Sequence, residues 1–280
     1  MSDDQSVSFV EVYGGTHSPW VQSVLLGLAE RGMDHSLRST PPLECLKKWG
    51  VLMPAVSIDG APWQIESSEI LAELGFESIS QEDLNMVRAA WQGVLHRPNN
   101  PLRFFAEFSK AGDSATHVIQ RSVRNFLRAF IPFYMFLLIN VAKRVRKVPD
   151  PANFGDQFLH WEKSLQTSGG AFLGGDTPSA TDIMLFGVIQ CHSSIPVPPL
   201  DALLNDSRLP RVRQWILTMQ SRLANHRHMY SAIHFASASK PPMPASTAQR
   251  TFFFAGLALS VAMLPITLSL ALFLMRRVPR

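Results

Sequence analysis

Cysteine is scarce in this chain. Only Cys45 and Cys191 occur in 280 residues, and no C-x-x-C is present. That excludes a dithiol redox centre and a disulfide scaffold, and it suits a reducing compartment. Acidic residues stop at Asp206: residues 1–206 carry a net of −6, and residues 207–280 carry ten basic side chains and no acidic one. The modest total of +4 therefore hides an acidic front and a basic end. No nucleic-acid-binding motif accompanies that basic end, so anionic headgroups are its expected partner and nucleic acid is not. The start, Met-Ser-Asp-Asp, lacks a basic region followed by an apolar stretch, so no secretory signal is read there. His226, His228 and His234 have no Cys or acidic neighbour in sequence, and no metal is expected.

Charge is also missing from Thr251 to Met275, 25 positions rich in Leu, Phe, Ala and Ile. As one helix this run would reach ~37 Å, enough to cross a hydrocarbon core of ~30 Å. The expectation is a single transmembrane helix over 251–275, with Pro265 tolerated inside it. A Ser/Ala/Pro-rich linker, 237–250, precedes it and a basic tail, 276–280, follows. With the span so late in the chain, the globular body is expected to face the cytosol. A second uncharged stretch, Ala129 to Ala142, is too short to span. It reads as a buried bundle helix, with bracketing Arg and Lys residues leaving an interfacial role open.

The front of the chain carries the most specific pattern. Val7 to Tyr13 alternates with period two, as a strand does, and Gly14-Gly15 marks a turn. Ser18-Pro19 then gives an N-cap and a proline at the first helical position, and apolar residues at 21, 24, 25 and 28 follow a 3.6 period up to Gly32. Ser18 thus sits beside unpaired N–H groups and the positive end of a helix dipole, where a thiolate would be stabilised. Met53-Pro54 opens a short apolar strand closed by Asp59-Gly60, and Glu66-Ser67 opens another helix.

Taken together, Val12-Tyr13-Gly14, Ser18, Met53-Pro54 and Glu66-Ser67 resemble the glutathione-binding half of the serine-using, cytosolic-type glutathione S-transferases. The resemblance implies a thioredoxin-like α/β domain at 7–78 and an all-α domain at 82–236. It implies that Ser18 donates a hydrogen bond to the glutathione thiolate, and that Pro54 is cis. Met53 would offer its backbone to the cysteinyl unit, and Glu66 and Ser67 would hold the γ-glutamyl ammonium and carboxylate. In that family the position two before the proline often carries Gln or Lys; here it is Leu52, with Lys47 and Lys48 nearby.

In the second half, Phe172 to Ile183 contains Ser179 and Asp182 at capping-box spacing ahead of a buried run. It resembles the folding motif of the transferase helical domain. Cys191 ends that run and reads as a buried thiol. Trp91, Phe104, Phe105 and Phe108 fall where the family's first long helices face the hydrophobic substrate, although aromatics at helical spacing also build cores.

Two functions follow from the resemblance. The first is an enzyme that conjugates glutathione to hydrophobic electrophiles, or reduces peroxides with it, in a detoxifying role beside a membrane. The second is a membrane-tethered adaptor whose transferase site is degenerate, which Leu52 favours. Glutathione, a hydrophobic small molecule and a lipid membrane are the expected partners, with a homodimer left open.

Overall fold

The computed structural model describes residues 9–91, 106, 108–110, 117–145, 151–195, 197–236 and 245–277, with the side chains of 138–145 outside that description. The first elements are β1 (Val10–Tyr13), α1 (Pro19–Glu30), β2 (His35–Arg38), α2 (Leu43–Trp49), β3 (Ala55–Ile58), β4 (Gln64–Ile65) and α3 (Ser67–Glu73). The strands form one sheet in the order β2-β1-β3-β4, with β1 parallel to β2 and antiparallel to β3, and β4 antiparallel to β3. A crossover helix is what a parallel pair requires, and α1 supplies it.

Helices follow: α4 (Gln81–Trp91), α5 (Val118–Arg128), α6 (Phe130–Val145), a 3-10 turn (Phe154–Phe158), α7 (Leu159–Thr167), α8 (Ala180–Ser194), α9 (Pro198–Asn205), α10 (Pro210–Arg222) and α11 (Ala232–Phe235). A small mixed sheet followed by helices is the arrangement the resemblance implied. Phe104 and Phe105 lie outside the described residues.

The core runs through both parts. Val10, Val12, Val21, Leu25, Leu28, Val56, Ile70 and Leu71 from the sheet region share one apolar cluster with Ile183, Met184, Phe186 and Trp215 from the helical region. Helix α8 is buried along almost its whole length, so it needs neighbours on every side. Its approach to α1 is close: a Cβ added at Gly187 would stand 2.6 Å from the Pro19 carbonyl oxygen and 3.0 Å from the Ser23 nitrogen. The 3.6 period marks α1 and the capping box marks the start of α8, but neither signals this crossing.

The Ser179–Asp182 capping box is formed. Asp182 is fully buried and accepts from Leu173 N (2.8 Å), Gly174 N (3.0 Å), Ser179 N (2.9 Å), Ser179 Oγ (2.8 Å) and the Trp215 indole N–H (2.8 Å). A buried carboxylate with this many donors holds the loop before α8 onto α10.

The terminal segment corrects an expectation. No single helix among the described residues is long and apolar enough to cross a membrane. The run 251–275 is divided between α12 (Thr247–Ala262) and α13 (Leu264–Met275), bent by 93°. Pro265 lies in the first turn of α13, where its missing N–H and fixed φ permit a fresh helix start. The Thr267 hydroxyl donates to the Ser260 carbonyl at 2.6 Å, satisfying an acceptor at the break. Helix α12 also begins inside the stretch expected as linker, with Ser246 and Gln249 forming a capping box; residues 237–244 are outside the described set.

Candidate functional site

The sheet register brings three loops to one end. Tyr13 pairs with Ala55, and Ala55 pairs with Ile65. The next residues outward, Gly14, Pro54 and Glu66, therefore stand in a row across three strands, about 10 Å from first to last at ~4.8 Å per strand. Gly14 leads to Ser18 at the N-terminus of α1, Met53 precedes Pro54, and Glu66 leads to Ser67 at the N-terminus of α3. The Met53–Pro54 peptide is cis, and the Met53 sulfur lies 3.3 Å from the Gly15 nitrogen, closing the β1 loop onto the β3 loop. The five residues singled out in sequence thus lie on neighbouring loops.

Ser18 caps α1. Its hydroxyl accepts from Val21 N at 3.5 Å, a long bond that leaves the oxygen weakly held. The residue is half-buried. Pro19 occupies the first helical position, as the sequence implied.

Glu66 is held at φ 88° and ψ 97°, a conformation that costs a non-glycine residue about 1–3 kcal/mol. Its carbonyl accepts from Glu69 N and Ile70 N at 3.1 Å each, so the first turn of α3 fixes it from one side. The carboxylate is exposed, takes a bond from Ser68 Oγ at 3.3 Å and lies 3.8 Å from Arg88. At that distance and exposure the ion pair is weak. Ser67 is buried at the helix start.

Several contributors escape sequence reading because they arrive from distant segments. Thr16 Oγ1 and Tyr230 Oη share a 2.7 Å hydrogen bond. Gln22 donates to the Thr16 carbonyl at 2.8 Å and the His228 carbonyl at 3.3 Å, tying α1 to the turn after α10. His17, next to Ser18, stacks on Tyr230 with ring centroids 5.5 Å apart and meets Phe108 at 5.4 Å. Its Nδ1 is sealed from solvent with no hydrogen-bond partner. Burial, with the Arg128 charge nearby, lowers the imidazole to about 3. Arg128 lies over the rings of Phe108 (4.9 Å) and Phe253 (5.5 Å), so α12 reaches to within two ring contacts of His17. Of these, the sequence singles out Phe108, as an aromatic the resemblance places toward the substrate, and His228, among the histidines read as holding no metal.

Other expectations land as follows. Trp91 packs edge-on to Trp20 at 5.7 Å, beside α1. Tyr13 is buried with its hydroxyl 3.5 Å from the Val51 carbonyl, facing a small cluster with Cys45 and Ala55. Leu52 is half-buried, and Lys48 lies over the Trp49 ring at 4.3 Å. Cys191 is buried and unpaired, with burial pushing its thiol up to about 12. His226 and His228 sit in the turn after α10, with rings 5.9 Å apart. His226 bonds Gln22 at 3.0 Å, and His234 bonds the Ser193 carbonyl at 3.2 Å.

No family model matches this sequence, and no curated protein matches it. Solved structures similar to it are glutathione S-transferases of many classes. A maize glutathione S-transferase I, in complex with an atrazine glutathione conjugate, aligns at TM-score 0.46 and 17% identity, covering 82% of this chain and 99% of the other. A delta-class transferase of Nilaparvata lugens gives TM-score 0.45, 15% identity, and 88% and 99% coverage. A theta-class enzyme of Xanthomonas axonopodis with glutathione bound gives 0.42, 16%, and 82% and 98%. At these scores the likeness carries no argument about activity; the site stands on its own geometry.

Proposed function

We propose that this chain is a glutathione transferase-like enzyme working against a membrane, with a thioredoxin-like domain at 7–78 and a helical domain at 82–236. The convergence of the Ser18, Met53 and Glu66-Ser67 loops at one end of the sheet carries the reading. A row about 10 Å wide suits an extended tripeptide of three residues at ~3.4 Å each. Glu66 takes the ligand's ammonium, Ser67 and the N-terminus of α3 take its carboxylate, and the Met53 backbone runs alongside its cysteinyl unit.

Ser18 donates to the thiolate and favours its formation; the thiolate itself is the nucleophile. An unperturbed thiol near pKa 8.5 requires ~1.4 kcal/mol of preferential thiolate stabilisation for each unit of depression. One charge-assisted hydrogen bond of ~1.5–3 kcal/mol and a helix N-terminus at ~0.3–1 kcal/mol supply one to two units. The aromatic wall of Phe108, Tyr230 and Trp91 favours an apolar co-substrate, an electrophile or a peroxide.

Membrane contact is assigned to the bent pair α12–α13, with the globular body on the cytosolic side. Phe252, Phe254, Leu259, Ile266, Leu270 and Phe273 are all exposed there, far more apolar surface than a water-facing helix pair presents singly. Leu52, in place of a polar neighbour for the ligand, supports the alternative of a tethered adaptor with a degenerate site. Calorimetric titration of the detergent-purified full chain with glutathione decides between them: heat saturating in the micromolar to millimolar range supports the enzyme, and none at 10 mM overturns it (binding weaker than ~2.7 kcal/mol).

A further inference from the structure

Two buried glutamines clamp the segment that follows α10. Gln190 of α8 accepts at Oε1 from Tyr230 N (2.7 Å) and Ser231 N (3.1 Å), and its Nε2 donates to Ser231 Oγ (2.7 Å). Gln22 of α1 donates to the Thr16 carbonyl (2.8 Å) and the His228 carbonyl (3.3 Å), and its Oε1 lies 3.0 Å from His226 Nε2. Gln22, Gln190 and Ser231 are fully buried. Polar groups sealed from water are costly unless paired; paired throughout, as here, they hold one geometry.

What this network fixes is the place of Tyr230, and Tyr230 holds both residues that lead into Ser18. Its Oη shares a 2.7 Å hydrogen bond with Thr16 Oγ1, and its ring stacks on His17 at 5.5 Å. The Ser18 amide donates to the Gly15 carbonyl at 2.9 Å, so the loop is a tight turn in which a shift at Thr16 carries over to Ser18. The Ser18 hydroxyl has only its 3.5 Å contact with Val21 N, too long to set its aim. We infer that Tyr230, acting through Thr16, is the positioning residue that aims Ser18 at the bound thiolate. The inference deepens the transferase reading and rests on it. Tyr230 also belongs to the aromatic wall, but that role needs the ring alone, whereas the latch needs the hydroxyl.

The test compares the full chain with Tyr230→Phe, Thr16→Val, the double variant and Thr16→Ser, changes that keep the rings and nearly the volumes. Two readouts are taken: amide hydrogen exchange across residues 14–18 without ligand, and the pKa of glutathione's thiol on the protein, followed by thiolate absorbance against pH. Tyr230→Phe and Thr16→Val are each expected to speed exchange at the Ser18 amide and to raise the bound thiol by up to about one unit, part of what the Ser18 bond supplies. Turnover of an aromatic electrophile at neutral pH should fall about tenfold in kcat, with its KM unchanged. The double variant should be no worse than either single one, because both remove the same bond, and Thr16→Ser should restore wild-type values. A lower urea midpoint with the thiol pKa unmoved makes the pair merely structural and overturns the inference. A loss on Tyr230→Phe that Thr16→Val does not share also overturns it, placing the Tyr230 hydroxyl directly on the ligand. Faster exchange in the variants, with no titrating thiol even on wild type, overturns the transferase reading and leaves the latch on the Ser18 loop standing; unchanged exchange overturns the latch whether or not glutathione binds.

Discussion

Replacing Asp182 by Asn changes one atom and should cost more than most core truncations. Its Oδ1 accepts from Leu173 N and the Trp215 indole, and its Oδ2 from Gly174 N, Ser179 N and Ser179 Oγ. Asparagine keeps one oxygen. If that oxygen takes the Oδ2 place, two buried donors, Leu173 N and Trp215 Nε1, face an NH2 group. Each unsatisfied buried donor costs ~1–3 kcal/mol, so the loss is about 2–6 kcal/mol. Against a total stability of ~5–15 kcal/mol this is a large fraction, worth roughly 5–20 °C in Tm at ~2–4 °C per kcal/mol. Trp215→Phe leaves the carboxylate four donors and is expected to cost ~1 kcal/mol for the lost bond. Ser179→Ala removes an N-cap at a similar ~1 kcal/mol. Urea unfolding of the full chain, followed by tryptophan fluorescence, measures all three. An Asp182→Asn loss below ~1 kcal/mol, or one equal to that of Trp215→Phe, would refute the view that the carboxylate organises the loop before α8.

Ser18→Ala is expected to slow conjugation of an aromatic electrophile at neutral pH, with recovery as pH rises, and to cost ~1 kcal/mol of stability; pH–rate profiles matching wild type would remove Ser18 from the site. Glu66→Ala and Ser67→Ala should each weaken glutathione binding tenfold to a hundredfold, from ~1.5–3 kcal/mol per charge-assisted bond, read by calorimetry. Gly187→Ala should destabilise by ~1–3 kcal/mol, because its new methyl meets the Ser23 hydroxyl and also the Pro19 carbonyl and Ser23 nitrogen of the α1 backbone, which cannot rotate away. Burial lowers His192 and His226 to about 4, against ~6.5 in an unfolded chain. Their contribution is intact above pH 6.5 and falls as pH drops towards 4, by up to ~1.4 kcal/mol per pH unit for each. Urea midpoints between pH 7.5 and 4.5 should decline accordingly, and His192→Phe should flatten the slope.

The local half of this protein was legible from its residues. Ser18-Pro19 starts a helix, Gly14-Gly15 turns the chain, Ser179 with Asp182 caps α8, and 251–275 carries no charge; each depends on near neighbours alone. The placing of Ser18, Met53 and Glu66 on adjacent loops needed strand pairing, which joins residues about 50 positions apart. The contacts of Thr16 and His17 with Tyr230 span more than 200 positions, and Trp215 reaches Asp182 from 33 positions away, so no local pattern announces them. The break before Pro265 shows the reverse case. Composition alone allowed a continuous helix, and proline's missing N–H allowed either a kink or a restart. Packing of α12 on α5 and of α13 on α6 decided for two helices, because burying Phe253, Ala271 and Leu274 requires the chain to turn between them. What the sequence settled was which faces are apolar; which surfaces those faces meet is a property of the assembled fold, since burial depends on what the rest of the chain brings alongside.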